Sequence, residues 1–181
     1  MGILQYESAI FINQRKYAVS LLQNFGLKNC KPISTSLMVS DKLKKDDESE
    51  KTDDNVYKKL VGSLLYMIAT RPDIMFAVSL LARFMHGPTK KHLGAAKGVL
   101  KYIQGILDYR IEYEKGKKSI LIGYYNSDWS EDETDMKSTS GYAFSFGGGV
   151  FSRASVKQHS VALSTAEAEY ISTTEATTQA V

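Results

Sequence analysis

From Tyr57 to Leu107 apolar residues recur every three or four positions, and from Asp108 onward the repeat drops to two. That change of period constrains the chain most. A spacing of three to four places side chains on one stripe of a helix, whereas alternation places them on one face of a strand. Three helices are predicted in the first region. Tyr57, Leu60, Val61, Leu64, Leu65 and Ile68 mark one stripe. Ile74, Ala77, Val78, Leu81 and Phe84 mark the second, and Leu93, Ala96, Leu100, Ile103 and Leu107 the third. Thr70-Arg71-Pro72-Asp73 breaks the first helix and opens the next, with Pro in the first turn and Asp73 at the positive end of the dipole. Gly87-Pro88-Thr89 is a turn and cap. All three stripes read as core.

In the alternating region Ile111 and Tyr113 suit one strand, and Ile120, Ile122 and Tyr124 another. Gly141–Phe146 and Val150–Ser155 should pair as a hairpin across Gly147-Gly148-Gly149, and residues 164–181 form a last helix. Ahead of all this, Ile10-Phe11-Ile12 is a short strand. Residues 14–25 read as a helix with Tyr17, Leu21, Leu22 and Phe25 on one face and Gly26 as its stop. Residues 40–55 hold a single apolar side chain among many charges and are expected to be a solvated loop. The fold class is therefore α+β.

The charge is uneven. Residues 1–118 carry 20 basic and 12 acidic side chains, residues 119–181 carry 3 and 8, and the whole chain of 181 residues has a formal net charge of +3. A basic front and an acidic back fit a phosphate-gripping part joined to a metal-gripping part, and equally fit ordinary solubilising charge. Lys90, Lys91, Lys97 and Lys101 fall with Tyr102 on the third helix and in part share a face, a candidate nucleic-acid surface that is also the solvated side of an amphipathic helix. One cysteine, Cys30, excludes an internal disulfide framework and reads as a small buried residue rather than a nucleophile. No apolar run approaches the roughly 20 residues of a membrane span. The N-terminus lacks the basic start and apolar stretch of a secretory signal, so an intracellular location, cytoplasmic or nuclear, is expected. No small-molecule site is evident. His159 has no partner at ligand spacing and reads as a surface or strand residue.

Ser164-Thr165-Ala166-Glu167 is a capping box, which gives Glu167 a structural task at the start of the last helix. Three ordered segments carry a wider signal: Gly123-Tyr124-Tyr125-Asn126-Ser127-Asp128-Trp129, Lys137-Ser138-Thr139-Ser140-Gly141-Tyr142, and Ser164 through Tyr170. Together they resemble the ribonuclease H domain of copia-type retrotransposon Pol polyproteins. Residues 10–32, with Ile-Phe-Ile-Asn-Gln-Arg-Lys-Tyr, Leu-Leu-Gln-Asn-Phe-Gly-Leu and Cys-Lys-Pro, resemble the far end of the reverse transcriptase of the same family. Ala69 to Ile74 and Lys97 to Tyr102 resemble the connection between the two.

The resemblance implies a division into the end of a reverse transcriptase at 1–39, a charged loop at 40–55, a helical connection at 56–107 and a partial ribonuclease H-like domain at 108–181. The last would hold a truncated mixed sheet and one helix. It implies RNA-directed DNA synthesis and cleavage of RNA in RNA–DNA hybrids as family activities, with two magnesium ions held by about four carboxylates. Glu169, just before Tyr170-Ile171, stands where the family places a catalytic glutamate. Asn126 stands where it places the first metal-binding aspartate. An amide carries no charge, so both cations should be weakened. Asp128 is the nearest substitute, yet it lies about 7 Å further along the strand, beyond the tolerance of metal geometry. Arg153 replaces a usual Trp, and Ser36 a usual Pro. The expectation is a Pol segment inactive in both reactions, with Glu169 and Asn126 as relics of the site and magnesium not productively bound. The alternative is a co-opted fragment acting as a nucleic-acid-binding or effector-like interaction module. Against an RxLR-type effector, the sequence has neither a signal peptide nor an Arg-x-Leu-Arg.

Overall fold

The computed structural model describes residues 1–37, 43–44, 48–116, 120–129 and 136–180. Among them are five α-helices and two small three-stranded antiparallel sheets, an α+β architecture. The order is β1 (Gly2–Gln5), β2 (Ala9–Asn13), α1 (Arg15–Asn24), α2 (Asp54–Met67), a 3-10 turn (Pro72–Ile74), α3 (Met75–Ala82), α4 (Lys90–Gly105), β3 (Ile111–Glu114), β4 (Leu121–Asp128), β5 (Thr139–Phe146), β6 (Gly149–Lys157) and α5 (Thr165–Ala180). One sheet has the order β1-β2-β3 and the other β4-β5-β6. Two compact units result, Met1–Gln5 with Phe11–Ile111, and Tyr6–Ile10 with Glu112–Val181.

The first unit owns the large apolar core. Leu21 and Leu22 of α1, Tyr57, Leu60, Val61 and Leu64 of α2, Ala77, Val78 and Leu81 of α3, and Ala96, Val99, Leu100 and Ile103 of α4 form one buried cluster. These are the residues the helical repeat puts on one stripe, so the pattern and the packing agree. Helix α2 starts at Asp54, earlier than the apolar stripe indicates and inside the segment expected to be loop. The cause is a cap: the Asp53 carboxylate accepts from the backbone N–H of Asn55 at 2.8 Å and of Val56 at 3.3 Å. Residues 40–42 and 45–47 of the expected loop lie outside the described residues. The part that is described is partly tied down, since Thr52 N donates to Pro88 O and Lys90 N to Glu50 O.

At the break Pro72 opens the 3-10 turn with Asp73 in its first turn, and Asp73 has a side-chain partner besides. Arg71 is buried, 3% exposed, and its guanidinium grips the Asp73 carboxylate through Nε at 2.8 Å and NH2 at 2.7 Å. It also donates to Ile106 O at 3.3 Å and lies over the rings of Tyr102 and Tyr109. Burial alone would raise the Asp73 pKa, but the hydrogen bonds and charge of Arg71 outweigh it and hold the carboxyl below its ordinary value.

In the second unit β4, β5 and β6 are antiparallel neighbours, so the described sheet is not the mixed one expected. The β5–β6 turn uses two residues, Gly147 and Gly148, at φ +59° and +92°, while Gly149 already belongs to β6. Two successive positive φ angles are the type I′ geometry that matches strand twist, and glycine adopts it without strain. Buried side chains here are small or polar: Ala162, Ala168, Ala176, Ser138, Ser140, Ser172 and Gln158, with Phe144 the large exception. Phe144 is buried against the bare face of Gly123, whereas Phe146 is exposed. Ile122, Tyr124, Tyr125, Phe151 and Tyr170 are all exposed.

Candidate functional site

Helix α5 brings Glu169 to β4. Its start is set by the predicted cap: Glu167 N donates to Ser164 Oγ at 3.2 Å, and Glu167 Oε2 accepts from Leu163 N at 2.7 Å. Glu167 is thereby committed to the helix entry, one residue further back than the simplest capping box. Two residues on, half-buried Glu169 faces the strand, and its Oε1 accepts from the backbone N–H of Ser127 at 3.1 Å. One turn later Ser172 Oγ donates to Asn126 O at 2.8 Å. The single peptide group between Asn126 and Ser127 is thus held at both its polar atoms by α5.

Gln158 completes the support and was not singled out by sequence. It is 1% exposed, and its Nε2 donates to Ser140 Oγ at 2.9 Å and to Ala168 O at 3.0 Å, joining β5 to α5. Only its place in the run after β6 hinted at a role, because a lone Gln has no periodic signature. Trp129 Nε1 donates to Ala162 O at 3.1 Å and anchors the end of β4.

Asn126 and Asp128 are both exposed on β4, two positions apart and on the same face of the strand. Glu169 therefore touches β4 at the backbone of Ser127, the residue between Asn126 and Asp128 in the strand. Among the described residues no group of three or more His, Cys, Asp or Glu side chains is placed to share a metal ion. His159 is exposed beyond the end of β6, and Cys30 is half-buried rather than buried.

In the first unit the four candidate lysines all lie on α4. With 3.6 residues per turn, Lys90, Lys97 and Lys101 project from one side and Lys91 from about a quarter-turn away. Lys90 is ion-paired with Glu50. Lys91 and Lys101 are exposed and Lys97 is half-buried. Tyr102 lies on another side of the helix, near Arg71 and Asp73, and burial together with that carboxylate raises its pKa.

Comparison with known proteins then decides the ancestry. The chain is 39% identical over 163 residues to the retrovirus-related Pol polyprotein from transposon RE1 of Arabidopsis thaliana, which covers 90% of this chain and 11% of that one. It is 40% identical over 173 residues to the Pol polyprotein from transposon TNT 1-94 of Nicotiana tabacum, covering 92% and 13%. The chain belongs to the copia-type retrotransposon Pol family. It spans about an eighth or less of the length of these Pol relatives. A copia-type Pol segment of this kind also matches the secreted RxLR effector protein 161 of Plasmopara viticola, 42% identical over 126 residues, 69% of this chain and 89% of that one. That name describes the Plasmopara protein, and no Arg-x-Leu-Arg occurs in this copia-type sequence. No family model and no solved structure matches the chain. No helix among the described residues is long and apolar enough to cross a membrane.

Proposed function

We propose that residues 108–181 form part of a ribonuclease H-like domain whose metal site has degenerated, and that residues 1–39 and 56–107 correspond to the end of a reverse transcriptase and its connection. Nucleic acid, an RNA–DNA hybrid above all, is the partner. The chain as it stands catalyses neither polymerisation nor cleavage. One observation carries this reading: Glu169 of α5 lies against β4 at Ser127, beside the position where an aspartate would complete a metal pair, and that position is Asn126.

The donor set does not suit two magnesium ions. Hard divalent cations need several anionic oxygens at short, near-ideal distances. Asn126 offers a neutral amide, Glu169 has one oxygen engaged by a backbone N–H, and Asp128 lies a further step along the strand. No step of hydrolysis is therefore assigned to these residues.

Purified protein incubated with a labelled RNA–DNA hybrid and magnesium or manganese should leave the hybrid intact. Asn126→Asp alone should not restore cleavage. Cleavage by the unaltered chain that disappears in Glu169→Gln would overturn the reading.

A further inference from the structure

Residues 8–40 and 74–107 contain no Asp or Glu, although the chain as a whole carries 20 acidic side chains. Parts of these two acid-free stretches pack side by side in the first unit. The loop after α1 runs along one side of α4. Asn29 N donates to the Gln104 side chain at 3.1 Å, Pro32 covers Gly105, and Ile33 reaches Gly98. The approach needs glycine: a Cβ on Gly105 would sit 3.0 Å from Pro32 Cβ.

This contact brings two pairs of lysines to neighbouring positions. Lys28 and Lys31 sit on the loop, both exposed, on either side of Asn29 and Cys30. Lys97 and Lys101 are one turn apart on α4, about 6 Å along its axis, on the side adjoining the glycines that receive the loop. Lys90 is excluded because Glu50 answers its charge, and at the far end Asp108 is taken by Arg15 at 2.7 Å. Among the described residues no carboxylate is ion-paired with any of these four lysines.

We infer that Lys28, Lys31, Lys97 and Lys101 form a binding surface for the phosphate backbone of nucleic acid. A ridge of cations without interspersed carboxylates is what a polyanion selects, since each lysine–phosphate contact releases condensed counterions, and it reads no base sequence. The ridge spans the loop and α4, so it differs from the helix-only set of Lys90, Lys91, Lys97 and Lys101. The inference rests on nucleic acid being the partner, but not on the degenerate metal site, because its test reads binding and never cleavage.

Fluorescence anisotropy with a labelled 25-base-pair RNA–DNA hybrid, over a series of sodium chloride concentrations, tests it. Changing all four lysines to Gln should flatten the slope of log affinity against log salt by about 3 to 4. Changing all four to Arg should leave the slope intact. A control with the same loss of charge elsewhere, Lys16→Gln, Lys51→Gln, Lys58→Gln and Lys59→Gln, should change it far less. Far-UV circular dichroism identifies any variant that has lost its helices, and the Arg set then carries the comparison. Equal loss in the control, an unchanged slope in the Gln set, or a lost slope in a folded Arg set overturns the proposal. So does equally strong, equally lysine-dependent binding to phosphatidylserine vesicles.

Discussion

Replacing Asp73 by Asn should destabilise the helical unit far more than a change at a chain break ordinarily does. Arg71 is 3% exposed, and among the described residues its carboxylate partner is Asp73, whose own side chain is 25% exposed. Removing one partner of a buried pair costs about 3–5 kcal/mol, because the other charge remains buried without its counter-ion. Partial solvent access at Asp73, the retained bond to Ile106 O and the two ring faces reduce this, so about 2–4 kcal/mol is expected. With a urea slope near 2 kcal/mol/M, a 3 kcal/mol loss moves the midpoint down by about 1.5 M. The readout should be circular dichroism at 222 nm, which follows the helices of the first unit. The single tryptophan, Trp129, reports on the other unit and should move little. Arg71→Met should cost less than Asp73→Asn, because a quarter-exposed carboxylate can be rehydrated. The double change Arg71→Met with Asp73→Leu should recover much of the loss. The acid limb checks the same pair. Its folded pKa lies below the ordinary 3.8, so its contribution is complete above that value and disappears as pH falls through the folded pKa. Asp73→Asn should therefore flatten stability against pH below about 4. A loss under about 1 kcal/mol for Asp73→Asn, or strictly additive single changes, would refute the reasoning.

Tyr57 is fully buried, its hydroxyl donates to Leu81 O at 2.8 Å, and burial raises its pKa well above 10. The native state then holds this proton longer than the unfolded chain, so stability should fall as pH rises above about 10, and Tyr57→Phe should remove that fall at a cost of about 1–2 kcal/mol at neutral pH. In Gly149→Ala the new Cβ would collide with the Tyr113 ring and lie 2.9 Å from Glu112 O. A backbone oxygen cannot yield as a side-chain end can, so a loss of about 1–3 kcal/mol should be seen in the Trp129 fluorescence transition, and a silent substitution would contradict the packing. Hydrogen exchange should find α2, α3 and α4 protected and residues 120–180 fast, since the large apolar cluster lies wholly in the first unit. Uniformly high protection would show that small and polar packing suffices for the second.

The helices and most strands were legible because they rest on local rules. A stripe of Leu, Val and Ile at helical spacing can bury itself only as a helix, and it became the core cluster of α2, α3 and α4. Adjacent glycines at 147 and 148 specify their own turn, and Ser164 with Glu167 specifies a helix start, which separates the task of Glu167 from that of Glu169 by local rules alone. Other features depend on partners far away in the chain. β1 is exposed throughout, so nothing but pairing with β2 makes it a strand. Arg71 carries no local signal of burial, and only the convergence of Asp73, Ile106 and two tyrosine rings allows it to be buried. Phe144 is covered because Gly123, opposite in register, has no side chain. The bond from Ser127 to Glu169 spans 42 positions, and the loop of Lys28 and Lys31 meets α4 through a contact spanning 75. Periodicity acts within a few residues and therefore names elements. Which of their polar groups meet is decided by closing long loops, and that information exists only when the chain is packed.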